Sequence, residues 1–295
     1  MNQVKKINLL LVAAFICLNA SAQTDTTISK KSDTMRIGNI IIIKKGKKFD
    51  FDSSGNETAQ KNAARKHASK VSTNWWIVDL GFSNYDDQTN YATANASGYL
   101  VDKPGSSFTK NDFKLRSGKS VNVNIWLFMQ RVNLVKKNVN LKYGLGVELN
   151  NYRYRSAISY KESGLIPYSG GLQTNNTFIF RDSIAFSKNK LAADYVTVPV
   201  MLNFSTTPKH NRKSFIFSAG VSAGYLYSQR NKQVSTERGK LKNKGDYYPE
   251  KFKFSYVAEI GYGPLKLYGS YSPKSIFERS LDMRPYNFGI RFSSW

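Results

Sequence analysis

Gly220-Val221-Ser222-Ala223-Gly224 has the spacing G-x-S-x-G. In α/β-hydrolases that spacing holds a serine on a sharp strand-to-helix turn and exposes its hydroxyl for nucleophilic attack. Here the five residues lie inside an unbroken alternation, SFIFSAGVSAGYLY (214–227). Ser222 is therefore expected to point into the fold, where small residues make room for larger neighbours. A serine nucleophile also needs a base. Of the two histidines, His67 lies in a basic, Ala-rich stretch and His210 in a predicted short turn, and neither is placed to serve Ser222. The sole cysteine is Cys17, and no spaced His/carboxylate cluster suggests a metal. Gly144-Leu145-Gly146 and Gly261-Tyr262-Gly263 lack the rest of any phosphate loop. These patterns predict no catalytic residue, no metal site, no cofactor and no enzyme.

Charge is the chemistry that remains. Asp79, Lys142, Glu148, Lys253, Glu259 and Arg291 sit within segments whose alternate residues are apolar. Arg230, Lys232, Arg238, Lys240, Lys242 and Lys244 are instead crowded into RNKQVSTERGKLKNKGDYYPEK (230–251). The first set suits ion pairing in a confined interior and the second suits contact with phosphate.

The elements that must position these groups are strands. In NVNLKYGLGVELN (138–150) the odd positions from Val139 to Leu149 are Val, Leu or Tyr, and the even ones are Asn, Lys, Gly or Glu. Successive strand residues point to opposite faces, so this is a strand with one apolar and one polar side. Similar alternation recurs at 75–85, 119–129, 194–204, 214–227, 253–262, 265–271 and 286–295, which makes eight strands. One predicted apolar face carries Val121, Val123, Ile125, Leu127 and Met129. Most strands are about 10 residues long, enough to cross a bilayer when tilted. A soluble sandwich would bury the apolar faces and a membrane barrel would turn them to lipid. The connections decide between the two. Long segments (86–118, 155–190, 230–250, 275–284) alternate strictly with short ones (133–137, TTPKHNRK, Gly263-Pro264). Long loops at one end and tight turns at the other describe an outer-membrane barrel. Trp75, Trp76, Tyr152, Tyr154, Tyr225, Tyr227 and Trp295, near strand ends, suit its interfacial girdles.

The predicted fold is thus all-β, an eight-stranded antiparallel transmembrane β-barrel over 74–295. Before it, MNQVKKINLLLVAAFICLNASAQ has the basic start, apolar run and small-residue cleavage site of a signal peptide over 1–22. Ile16 before Cys17 argues against lipoprotein processing. Residues 23–73 form a polar, basic extension, expected in the periplasm with the C-terminus. Within it Ile40 to Ile43 reads as one strand of a small hairpin, with Lys44–Lys47 as its turn. That strand is either a docking strand or a local one against the barrel mouth. The formal net charge is +24. For an exported chain it points to phosphorylated lipid rather than nucleic acid, or simply to soluble loops.

RIGNIIIIKKGKK, WWIVDLGFSNY, KYGLGVELNNYRY, YVTVPVMLNF and the aromatic terminus resemble the PorT-like outer-membrane β-barrel family of Bacteroidota. The resemblance covers 35–295 and implies an outer-membrane location and the barrel-insertion machinery as a partner. Asn287, Gly289 and Phe292 fit the family's terminal assembly signal, whereas Ser294 holds the last aromatic position and Trp295 is displaced by one.

With apolar faces toward lipid, Asp79, Lys142, Glu148, Lys253, Glu259 and Arg291 face the lumen. Closure puts the first strand beside the last, which makes Asp79 and Arg291 neighbours. This set is either an ion path or a network that plugs the barrel. Arg230, Lys232, Arg238, Lys240, Lys242 and Lys244 are expected in an outer loop that contacts lipopolysaccharide phosphates or is merely solvated. Residues 86–114 and 155–187, rich in Tyr, Asn, Ser and Gly, are expected to supply adaptable contact chemistry. The expected role is non-enzymatic: surface recognition, envelope integrity, or support of a secretion or gliding assembly, with an envelope protein complex as a further candidate partner. A small pore is the alternative, and a lipid-modifying barrel enzyme the third.

Overall fold

The computed structural model describes residues 34–37, 40–45, 48–52, 71–135, 138–206 and 214–293. The expected signal peptide, His67, His210, Ser294 and Trp295 lie outside the described residues. The chain forms two units, Met1–Ala68 and Ser69–Trp295. In the first, Thr34–Ile37, Ile40–Lys45 and Lys48–Asp52 form an antiparallel three-stranded sheet. The predicted two-stranded hairpin therefore gains a strand before it. Lys44 and Lys45 belong to a strand rather than to the turn, because Lys45 pairs directly with Lys48.

The second unit contains eight long strands: β1 (Val71–Asp87), β2 (Val121–Val135), β3 (Val139–Arg153), β4 (Lys188–Ser205), β5 (Phe215–Ser235), β6 (Phe252–Tyr262), β7 (Leu265–Tyr271) and β8 (Met283–Phe292). Each pairs antiparallel with the next, and β8 pairs back onto β1, so the eight strands make a ring. The first strand begins three residues before the predicted boundary at 74. Long connections (88–120, 154–187, 236–251, 272–282) all lie at one end, and short ones join β2 to β3, β4 to β5 and β6 to β7.

The burial pattern is that of a soluble protein turned inside out. Val78, Leu80 and Phe82 on β1, Val196 to Phe204 at alternate positions on β4, and Phe288, Ile290 and Phe292 on β8 are exposed. Asp79, Lys142, Glu259 and Arg291 are buried. On β3, Leu141, Leu145 and Val147 are partly exposed, while Asn140, Lys142, Gly144, Gly146 and Glu148 are buried. Hydrocarbon accepts the first kind of side chain, and a ring without edges leaves no strand of the wall unpaired in it.

The register slips at several points, of which one reverses the faces of β2. The register of β2 against β3 shifts between Trp126 and Phe128. On β1 both Trp75 and Trp76 are exposed, and Trp76 adopts φ 55, a left-handed conformation that non-glycine residues rarely take. Trp75 meets Phe128 with ring centroids 5.9 Å apart. Past this bulge the two faces of β2 exchange. Met129, predicted to face lipid, is fully buried, because one extra residue reverses the phase of every side chain after it. Gly146 accommodates the inward Trp126, whose ring carbon stands 2.7 Å from where a Cβ would be.

The strands also outrun their apolar stretches. β5 is 21 residues long, and its last part, Arg230–Ser235, pairs with β4 on one side and with Gly239–Lys244 on the other. Much of what reads in sequence as the 230–250 loop is therefore sheet.

Candidate functional site

Two places concentrate the charged and polar side chains: the lumen, and the long-loop end. In the lumen the structure brings all six predicted charged residues together. Asp79 and Arg291 face each other in the β1–β8 register. Arg291 Nε and Nη2 donate to the two Asp79 oxygens, both at 2.7 Å, and Nη1 donates to Glu259 at 2.5 Å. Lys142 Nζ donates to both oxygens of Glu259, at 2.6 and 2.8 Å. Lys253 donates to Glu148. β3 and β6 are separated in the ring by β4 and β5, so the Lys142–Glu259 and Lys253–Glu148 pairs reach across the lumen between strands that are not neighbours.

Uncharged groups complete the shell. Asn124 Nδ2 (3.0 Å) and Trp126 Nε1 (2.7 Å) also donate to Asp79. Asn150 and Asn287 donate to Glu148, each at 3.0 Å. Tyr268 donates to Asn122 at 2.5 Å. Such saturation offsets the cost of holding charges away from water. Lys266 is a lumen cation that the sequence reading did not name. It is buried and donates to Ser293, and its inward position was legible from the Leu265/Leu267 alternation. An eight-stranded ring leaves an interior that side chains can fill. A void of about 30 Å³ remains beside Ser222, Thr197, Glu148, Tyr268 and Arg291, room for a water or two. Ser222 sits mid-strand, paired with Pro199 and Ser255, and on no turn. Among the described residues, no three His, Cys, Asp or Glu side chains converge as metal ligands.

At the long-loop end the connections fold together. Helix α1 (Tyr91–Ala96) is capped by the Asn90 side chain. Leu100–Val101, Phe178–Arg181 and Ile158–Lys161 form a small sheet. Phe108, Phe113, Tyr160, Ile179, Tyr247 and Phe277, from four different connections, share one buried cluster with Tyr152 and Tyr195 on the barrel rim. Tyr99 donates to the Tyr247 carbonyl at 2.8 Å, and the Tyr154 and Tyr160 hydroxyls stand 2.6 Å apart. Burial pushes the Tyr99 and Tyr160 phenols well above their ordinary value and that of Tyr247 up to about 12, so all three remain protonated. Arg181 bridges Asp102 and Asp112, each at 2.9 Å. This cap corrects two expectations. Tyr152 and Tyr154 are core residues of the cap rather than girdle residues, and much of the loop tyrosine is packing rather than adaptable contact surface. The apolar surface that the cap does expose is a short hairpin, Gly164–Leu165 against Gln173–Thr174, with Leu165, Tyr168 and Leu172 outward.

The basic residues of 230–251 divide. Arg238 is ion-paired with Asp182 at 2.8 Å and Arg230 with Asp194 at 2.6 Å. Lys232, Lys240, Lys242 and Lys244 lie in a two-stranded ladder, with Lys232 opposite Lys242, Val234 opposite Lys240 and Arg230 opposite Lys244.

No curated relative matches the chain in sequence. Among solved structures it is similar to Ail, the attachment invasion locus protein of Yersinia pestis, at 10% identity and a TM-score of 0.28, over 74% of this chain and 96% of that one. The family model for the outer membrane protein beta-barrel domain matches residues 59–277, the greater part of the chain and the first seven of the eight ring strands. The chain belongs to the family of outer membrane protein beta-barrel domains.

Proposed function

We propose that this outer-membrane barrel is a non-conducting, non-enzymatic platform that presents a folded recognition cap on the cell exterior. The observation that carries the reading is the pair of ion pairs crossing the lumen from β3 to β6, Lys142–Glu259 and Lys253–Glu148. A conducting path needs continuous water, and these side chains occupy the place where it would run. The cap, held by one shared core, supplies the rigid support that a binding surface needs. The Leu165–Leu172 hairpin is the contact element proposed for a partner protein, an envelope assembly of the secretion or gliding kind. Within the family, the residues quoted from 35–295 are the grounds for a PorT-like assignment, and the outward Phe288, Ile290 and Phe292 of β8 for delivery by the insertion machinery.

Refolded full-length protein in a planar bilayer should give no discrete conductance steps. Regular steps would instead establish the small pore. Orientation is read separately: Asn175→Cys, at an exposed bend of the cap, should react with a membrane-impermeant maleimide in intact cells. The same cysteine, carrying a cross-linker, should capture a partner in wild type and lose it when Leu165, Tyr168 and Leu172 become Ser.

A further inference from the structure

Beyond the apolar girdle, the outer face of the sheet carries cations directly opposite one another on four adjacent strands. Arg153 on β3 pairs with Lys190 on β4, Lys190 pairs with Lys232 on β5, and Lys232 pairs with Lys242 of the hairpin strand Gly239–Lys244. Lys188, Lys240 and Lys244 flank this row on the same strands and are exposed. Directly opposed residues have Cβ atoms about 5 Å apart, and like charges so placed repel. Internal partners answer little of this charge. Lys190 donates to Asn151 at 2.5 Å, and one Arg153 Nη donates to the Ser187 carbonyl at 2.8 Å. Asp194 is engaged by Arg230. Nε of Arg153 and Nε of Arg230 are buried without an acceptor among the described residues. Such a row is stable where anions lie against it.

Its height selects the anion. Tyr225 and Tyr227 on β5 are exposed at the end of the apolar stretch, where aromatic side chains mark the interface. Lys232 follows Tyr227 along the same strand; at ~3.3 Å per residue and ~40° of tilt it stands about 12 Å further out. The polar zone of a phospholipid leaflet is only ~6 Å deep. A phosphate borne on a saccharide reaches the row, whereas a glycerophosphate lies beneath it.

We propose that the row Arg153, Lys190, Lys232 and Lys242 binds the phosphorylated saccharide headgroup of lipopolysaccharide in the leaflet around the barrel. The proposal rests on the reading that the long-loop end faces outward. It moves the expected anion contact from a loop to a sheet face, adds Arg153 and Lys190, and removes Arg230 and Arg238, which Asp194 and Asp182 engage.

The test uses the full-length folded protein in neutral detergent micelles, titrated with fluorescent lipopolysaccharide, with dephosphorylated lipopolysaccharide, and with phosphatidylglycerol as competitor. Lys190→Gln/Lys232→Gln/Lys242→Gln should weaken binding about a hundredfold, each basic residue near an anionic surface contributing about fivefold. Dephosphorylation should have the same effect, and added salt should weaken the wild type more than the variant. Lys114→Gln/Lys119→Gln/Lys251→Gln, three exposed lysines off the row, should bind as wild type does. Heat-modifiable gel migration identifies folded protein. Should the triple variant not fold, Lys232→Glu alone should show the loss. Equal binding by the row variant, equal loss in the control, undiminished binding of dephosphorylated lipid, or full competition by phosphatidylglycerol would each overturn the proposal. If Asn175→Cys is shielded in intact cells, the display reading falls and this proposal with it. If it labels and the row variant binds normally, this proposal alone falls.

Discussion

Among the described residues Glu259 forms salt bridges with Lys142 and Arg291, whereas Glu148 forms one with Lys253 alone. The two carboxylates are therefore not equivalent, although both are buried. Removing one partner of a buried pair leaves an uncompensated charge and costs about 3–5 kcal/mol. Glu259→Gln should stand at the upper end of that range and Glu148→Gln at the lower, because Asn150 and Asn287 donate only to an oxygen that the amide keeps. Urea titration of the two variants in lipid vesicles reads the order, and equal losses would contradict it. At this scale the sequence was informative about direction and uninformative about partner. Alternation placed Asp79, Lys142, Glu148, Lys253, Glu259 and Arg291 inward, and strand closure paired Asp79 with Arg291. That Lys142 would reach Glu259 across the lumen depends on relative strand heights, which no single segment encodes. Met129 was misplaced for a related reason, since the slip at Trp126–Phe128 leaves no mark in a strand that stays apolar on both sides of it.

That slip makes a prediction about an element rather than a contact. Trp76 holds φ 55 within β1, and such backbone costs about 1–3 kcal/mol in a non-glycine residue. In an ordinary strand position valine outperforms glycine. Here the order should reverse. Trp76→Gly should be more stable than Trp76→Val, because glycine takes positive φ freely and a β-branched residue takes it worst. The comparison cancels the loss of the indole, which both variants share, and unfolding in neutral detergent measures it. The order valine over glycine would show that the bulge relaxes when the tryptophan is gone. Loops were legible as connections but not as structure. Tyr152 and Tyr154 read as girdle residues and Tyr160 as loop contact chemistry, because a cap core assembled from four separate loops has no periodicity to announce it.

For the whole molecule, the loop alternation carried the decision that no strand could make. Apolar and polar faces are symmetrical in a sequence, but long connections gathered at one end are not, and the ring with its exposed Val, Leu and Phe follows from them. On the non-conducting reading proposed above, two separate layers of side chains close the barrel in series along its axis, which the sequence could not convey. One is the pair of cross-lumen ion pairs; the other is the aromatic cap packed on the rim through Tyr152, Tyr195 and Met283. Barriers in series conduct only when both are removed. Replacing Lys142, Glu259, Lys253 and Glu148 together by Ala should therefore leave the bilayer silent, since the cap still covers that end. Replacing the connections 88–120 and 154–187 by short Gly/Ser linkers should also leave it silent, since the ion pairs still fill the lumen. The combined variant, if its gel migration remains heat-modifiable, should show conductance steps. Conductance on loss of the cap alone would mean that the lumen network yields to ions and is a gate rather than a plug. Silence in the folded combined variant would mean that Arg291, Asp79, Trp126 and Tyr268 suffice to close an eight-stranded ring by themselves.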